Sequence, residues 1–129
     1  LYTKTSNFMK VTVKLSYNSE LSSPLDHHYV WQYKVTIENN RNETVQLISR
    51  HWQIINSGGK LKEVIGEGVV GKQPILHPGN KFEYTSATDL DTPTGIMKGT
   101  YTILSDVGEF NIIIPTFSLD KPGTNSILN

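Results

Sequence analysis

The stretch Tyr29-Val30-Trp31-Gln32-Tyr33-Lys34-Val35-Thr36-Ile37-Glu38-Asn39 decides the fold class. Tyr29, Trp31, Tyr33, Val35 and Ile37 alternate with Val30, Gln32, Lys34, Thr36 and Glu38. Successive side chains of a strand point to opposite faces, so this is the pattern of a half-buried β-strand. The polar run Asn39-Asn40-Arg41-Asn42-Glu43 then reads as a turn.

The same period extends in both directions. Phe8 to Tyr17 sets Val11, Val13, Leu15 and Tyr17 against Lys10, Thr12, Lys14 and Ser16. Between Thr44 and Asn56, Val45 and Leu47 share one parity while Ile48, Trp52 and Ile54 share the other. A bulge near Ser49-Arg50 reconciles them, because one extra residue swaps the faces. Asn56-Ser57-Gly58-Gly59 signals a hairpin into Leu61 to Ile65. Shorter strands are expected over Gln73 to His77 and Phe82 to Ser86, with Pro78-Gly79 turning between them and a longer loop from Thr88 to Gly95. Gly99 to Ser105 and Glu109 to Leu119 form a last hairpin around Asp106-Val107-Gly108. Pro115 cannot donate to a ladder, so the final strand is expected at an edge or bent there.

No window long enough for a helix shows a 3.6-residue period. The expectation is an all-β, immunoglobulin/fibronectin III-like antiparallel sandwich of about seven strands, with a closed barrel as the alternative. One domain is expected over residues 8–120, between a flexible N-terminus (1–7) and a flexible tail (121–129).

Composition narrows the function classes. The 129 residues contain no cysteine, which removes disulfide scaffolds, thiolate zinc sites and thiol nucleophiles, and fits a reducing, cytoplasmic setting. Twelve basic residues balance twelve acidic ones, and the lysines are scattered. Nucleic-acid binders concentrate positive charge to displace counterions from phosphates, so no nucleic-acid partner is expected. Apolar runs such as Ile112 to Ile114 are far too short to span a bilayer as a helix, and no signal-like segment opens the sequence.

Gly66-Glu67-Gly68-Val69-Val70-Gly71 matches G-x-G-x-x-G, with Asp91 downstream as a dinucleotide fingerprint would have it. That fingerprint needs a helix after the glycines to receive pyrophosphate at its N-terminus. Here Pro74 and Pro78 forbid one. The glycines are read instead as backbone devices of a β-protein, with Gly66, Gly68, Gly71 and Lys72 kept as a candidate anion-binding loop. Asp26-His27-His28 is the weak metal candidate, since imidazole and carboxylate suit divalent transition metals. Adjacent strand residues point apart, however, and exposed loop histidines are the plainer reading. His51 and His77 could join a site only through the fold. No nucleophile elbow or triad spacing occurs, and no catalytic residue is assigned. Trp52 reads as a core anchor. Arg50, Tyr101 and Phe117 are the candidate interaction surface.

Taken in order, Val45-Gln46-Leu47, Arg50-His51-Trp52, Gly66-x-Gly68-Val69-Val70-Gly71-x-Gln73-Pro74, Pro78-Gly79, Phe82-x-Tyr84-x-Ser86, Gly95-x-Met97-x-Gly99-x-Tyr101 and Ile114-Pro115-x-Phe117-Ser118-Leu119 resemble the ApaG family, from about residue 8 to residue 120. The resemblance implies an immunoglobulin- or fibronectin III-like sandwich and no established catalytic residues; no cofactor is expected. It also implies an association with cobalt resistance and magnesium efflux, and a protein-interaction role where the domain is attached to larger proteins. The leading expectation is therefore a non-catalytic binding module with a protein partner. The alternative is a direct sensor of a divalent cation or a phosphate/pyrophosphate compound near the glycine-rich loop. A monomer and an edge-paired homodimer are both compatible with the pattern.

Overall fold

The computed structural model describes residues 1–123. Among them are nine strands: β1 (Tyr2–Ser6), β2 (Met9–Tyr17), β3 (Tyr29–Asn39), β4 (Val45–Asn56), β5 (Leu61–Glu67), β6 (Ile75–Leu76), β7 (Lys81–Leu90), β8 (Thr94–Ser105) and β9 (Gly108–Asp120). A single 3₁₀ turn, Pro24–Asp26, precedes β3. One sheet runs β1-β2-β3-β7 and the other β5-β4-β8-β9, with β6 added beside β4. Every pairing is antiparallel.

The period of two is what makes the core. Val11, Val13, Trp31, Val35 and Ile37 of the first sheet are buried, as are Leu47, Trp52, Met97, Ile103, Ile112 and Leu119 of the second. Fully burying one such side chain contributes about 1.5–3 kcal/mol. Trp52 couples the layers. Its ring meets Tyr33 of β3 edge-on at 5.3 Å, and Tyr101 and Phe117 of its own sheet at 6.3 Å each. Gly99 lies opposite Trp52 in the β4–β8 register, and a Cβ there would collide with the His51 carbonyl oxygen, so only glycine lets the two strands approach there.

Two bulges set which residues face inward. The β4–β8 register shifts between Leu47 and Ser49, placing the extra residue, Ile48, on β4. The inward set therefore changes parity, from Val45 and Leu47 to Arg50, Trp52 and Ile54. The β8–β9 register shifts between Met97 and Gly99, opposite Pro115-Thr116. Pro115 thus sits both on an edge strand and at a bulge, where its missing N–H costs least.

Three sequence expectations are corrected. There are nine described strands where about seven were expected. Tyr2–Ser6, expected as part of a flexible end, is β1 and pairs along its whole length with β2. Its side chains lack an apolar alternation because an edge strand can be held by its backbone, with the Tyr2 ring 5.4 Å from Phe117 as an anchor. The expected loop from Thr88 to Gly95 shrinks to Asp91-Thr92-Pro93, because β7 and β8 extend into it. Most of the expected flexible tail, 124–129, lies outside the described residues.

The two long sides of the sandwich differ. Between β1 and β9, the Ile113 N–H donates to Ser6 Oγ at 2.9 Å and Asn7 Nδ2 donates to the Asn111 carbonyl at 3.0 Å, stitching the layers together. The opposite side lies between the edge strands β7 and β5. The candidate site is there.

Candidate functional site

Arg50 is the central residue. The bulge at Ile48 turns it inward, on the same parity as Trp52. Opposite it on β5 stands Gly66, whose lack of a side chain makes room for the guanidinium; a Cβ at Gly66 would lie 2.8 Å from Arg50 Nη1. Nη1 donates to the carbonyls of Glu67 at 3.1 Å and Gly68 at 2.9 Å. Among the described residues, Nη2 and Nε have no hydrogen-bond partner.

The glycine-rich segment connects β5 to β6 as a strap on the β4 bulge. The Gly68 N–H and Gln73 Nε2 both donate to the Ile48 carbonyl, at 2.7 and 2.9 Å. The Val69 N–H donates to the Lys72 carbonyl at 2.8 Å, and the Lys72 N–H returns to the Val69 carbonyl at 2.9 Å. Gly68 has φ +62°, and a Cβ there would strike the Lys72 carbonyl. No helix follows; Val69 is buried and Lys72 is exposed. An anion nest needs converging unpaired N–H groups. Those of Gly68, Val69 and Lys72 are engaged within the chain.

Beside Arg50, between the sheets, is a cavity of about 170 Å³. Tyr33, Ser86 and Thr88 line it from the first sheet; Arg50, Trp52, Ile54, Lys62, Val64 and Met97 line it from the second. Thr88 Oγ1 and Trp52 Nε1 are buried without a hydrogen-bond partner, although the indole faces the Tyr84 hydroxyl. Such groups ordinarily find partners, so these two stand out. Deeper in, the hydroxyls of Tyr84 and Tyr101 are hydrogen-bonded to each other. Burial pushes the pKa of both well up, and raises that of Tyr33, while the Arg50 charge pulls all three down by a smaller amount.

The rim of the cavity is charged. Lys62 Nζ lies 3.1 Å from Asp89 Oδ1 and His28 Nε2 lies 3.1 Å from Asp89 Oδ2. Hydrogen bonding to Lys62 is the largest influence holding the Asp89 carboxyl below its ordinary value. His27 occupies the left-handed cap of the 3₁₀ turn, with φ 54°. Among the described residues, no group of three or more His, Cys, Asp and Glu side chains could hold a metal ion. His51 pairs with Glu63, and His77 bonds Thr44 Oγ1 at 3.0 Å, so the histidines are dispersed.

A second feature is the outer face of the five-stranded sheet. The register sets Leu61, Ile55 and Ile96 side by side across β5, β4 and β8. The row Ile65, His51, Thr100 and Ile113 runs parallel to it. Leu61, Ile65, Ile96 and Ile113 are all exposed. Between the rows run Glu63, Gln53 and Lys98; Glu63 is paired with His51, while Lys98 is exposed and without an ion-pair partner among the described residues.

Of the residues singled out from sequence, Arg50 belongs to the cavity and Gly66 makes its room. Tyr101 and Phe117 are corrected: they are 0% and 2% exposed, core and not surface. Tyr101 follows the plain inward parity of Met97 and Ile103 on β8, while the bulge at Pro115 carries Phe117 to the inner face. Tyr33, Lys62, Ser86 and Thr88 were not singled out as site residues, and Asp89 reads from sequence only as one of several solvated carboxylates. Ser86 and Thr88 share the inward parity of Tyr84 on β7, and two hydroxyls in a core row are the signal that was available.

The comparisons with known proteins agree with one another. The ApaG domain family profile matches residues 19–105. The chain is 50% identical to Protein ApaG of Paramagnetospirillum magneticum and 46% identical to Protein ApaG of Mesorhizobium japonicum, covering 100% of both chains in each case. The crystal structure of an ApaA protein from Bordetella pertussis superposes with a TM-score of 0.86 at 44% identity, covering 90% of this chain and 95% of that one. A protein from Archaeoglobus fulgidus shares the fold alone, with a TM-score of 0.56 at 9% identity.

Proposed function

We propose, from the premise that this chain belongs to the ApaG family, that it is a non-catalytic module whose ligand is another protein. The observation that carries the reading is the outer face of the five-stranded sheet. Ile96 and Ile113 flank Lys98 there, which has no ion-pair partner among the described residues, and Leu61 and Ile65 stand exposed on β5 beyond Gln53 and the His51–Glu63 pair. Interfaces combine apolar contacts with polar groups, and four exposed aliphatics interleaved with polar side chains on one sheet face offer both. The partner on this reading presents an apolar patch with a carboxylate placed to meet Lys98. We take the strand order as immunoglobulin/fibronectin III-like, a scaffold that offers such faces. A cytoplasmic setting belongs to the same reading. The family's association with cobalt resistance and magnesium efflux is taken as a consequence of the protein contact.

Affinity capture tests this with three forms of the chain: unaltered, Ile96→Asp combined with Lys98→Glu, and Thr85→Asp on the outside of the other sheet. A partner that the first and third retain and the second loses by about tenfold or more supports the reading. Equal recovery by all three sinks it. A direct sensor at Gly66 to Gly71 finds less support, since the amides it would use at Gly68, Val69 and Lys72 already have partners.

A further inference from the structure

The cavity between β5 and β7 has no role in the outer-face reading, and its chemistry is specific. Arg50 presents Nη2 and Nε without protein acceptors among the described residues. Thr88 Oγ1 is buried without a partner among the described residues, the Trp52 ring lines the same space with its N–H facing the Tyr84 hydroxyl, and the Tyr33 and Ser86 hydroxyls, which face each other, add two more polar groups to the wall. This is a set of donors around one volume, with apolar walls from Ile54, Val64 and Met97. Pockets for small molecules have this composition: mostly apolar lining with a few placed polar groups. The charge is also informative. Arg50 and Lys62 carry two positive charges and Asp89 one negative, so the site is one positive charge in excess. That balance and the planar guanidinium suit a monoanionic carboxylate, while a pyrophosphate would leave several negative charges unmatched. A water occupies about 30 Å³, so 170 Å³ holds roughly five waters, or a ligand of similar heavy-atom count.

We infer that the cavity between β5 and β7 binds a small monocarboxylate, with the carboxylate on Arg50 and the short carbon chain against Ile54, Val64 and Met97. The Lys62–Asp89 pair spans the mouth, so entry requires Lys62 to swing aside. Asp89 keeps that lysine from collapsing onto Arg50's ligand position and neutralises it in the empty state. Binding is non-covalent, and no bond of the ligand changes.

The test is a ¹H–¹⁵N spectrum of the full chain titrated with sodium propionate, against sodium chloride at equal ionic strength. Two tryptophans give two indole signals: Trp31 Nε1 is bonded to the Asp120 carbonyl at 3.0 Å and serves as an internal reference, while Trp52, whose ring lines the cavity, reports on it. The expected result is a saturable shift of the Trp52 indole and Arg50 Nε signals, with Trp31 unmoved. Arg50→Gln should weaken binding about tenfold or more. Should that variant fail to fold, Thr88→Val preserves shape and removes one donor, and should weaken binding at least about threefold. No saturable shift at tens of millimolar propionate, or the same shift with chloride, overturns the proposal. So does a larger response to inorganic phosphate or pyrophosphate, or one centred on the Gly66 to Gly71 amides. An acidic peptide that competes while propionate does not also overturns it, because the ligand would then be a protein side chain.

Discussion

Lys62 and Asp89 join the two sheets across the side of the sandwich that no strand closes: Lys62 Nζ meets Asp89 Oδ1 at 3.1 Å and the Asp89 carbonyl at 3.3 Å. Lys62 is on the inner parity of β5, where an apolar residue would otherwise stand, and snorkels to the rim. Asp89 also receives His28 at 3.1 Å. A carboxyl held below its ordinary pKa stabilises the fold above that value and loses the contribution as pH falls through the folded one. Both side chains are about half exposed, at 51% and 53%, so the pair contributes no more than about 1 kcal/mol. Asp89→Asn should therefore lower the urea midpoint slightly at pH 7, and the difference should shrink as pH falls below the ordinary carboxylate value of 3.8 and vanish once pH is below the lower folded-state value. A deficit that persists in acid would assign the loss to packing instead.

The two glycines at the end of β5 should behave differently on substitution. Gly68→Ala puts a Cβ into the Lys72 backbone and forces a side chain to φ +62°, so a loss of about 2 kcal/mol or more is expected. Gly66→Ala presses only on the flexible Arg50 guanidinium, which can retreat by giving up its two carbonyl acceptors, at about 1 kcal/mol. Urea midpoints rank the two. Equal losses would show that the strap and the arginine act as one unit.

That ranking also marks where sequence reading stops. Alternation in β3 and the turn residues after it identify the sandwich, because periodicity is local and the hairpin glycines at Gly58-Gly59 and Gly108 are too. What the motif Gly66-x-Gly68 does was not legible. Its meaning depends on Arg50, a residue on the neighbouring strand that the register places opposite Gly66. The bulge that turns Arg50 inward was legible as a parity change between Leu47 and Trp52, and Tyr101 keeps the parity of Met97 and Ile103, but the inward side of Phe117 depends on a bulge at Pro115 whose position needs the strand pairing. The cavity is further off still, since its polar members come from β3, β4, β5 and β7 and meet only when the two sheets pack.

The outer aliphatic rows make a separate stability prediction. Ile96 and Ile113 are each 46% exposed, so Ile96→Thr and Ile113→Thr keep the β-branch and forfeit little burial. Each should change stability by no more than about 0.5 kcal/mol in chemical denaturation of the chain alone. A loss near 2 kcal/mol would mean the face is already covered in the isolated protein, as by association with a second copy.

The Tyr84 and Tyr101 hydroxyls bond to each other inside the core, so each is the other's partner. Removing one by Tyr→Phe leaves the other buried and unpaired, at about 1–3 kcal/mol. The double Phe variant should lose less than the sum of the two single losses, because no hydroxyl is then left stranded. The same burial fixes the alkaline behaviour. Both pKa values are raised above the ordinary 10.0, so the folded state holds these protons more tightly than the unfolded one. Stability is then intact below pH 10 and falls as pH rises beyond it, since only unfolding lets the two groups ionise. Of the six tyrosines, these two should appear in an ultraviolet titration only together with the loss of tertiary structure by near-ultraviolet circular dichroism. Ionisation of all six near pH 10 with the fold retained would place the pair in contact with solvent and remove the basis for both halves of the prediction.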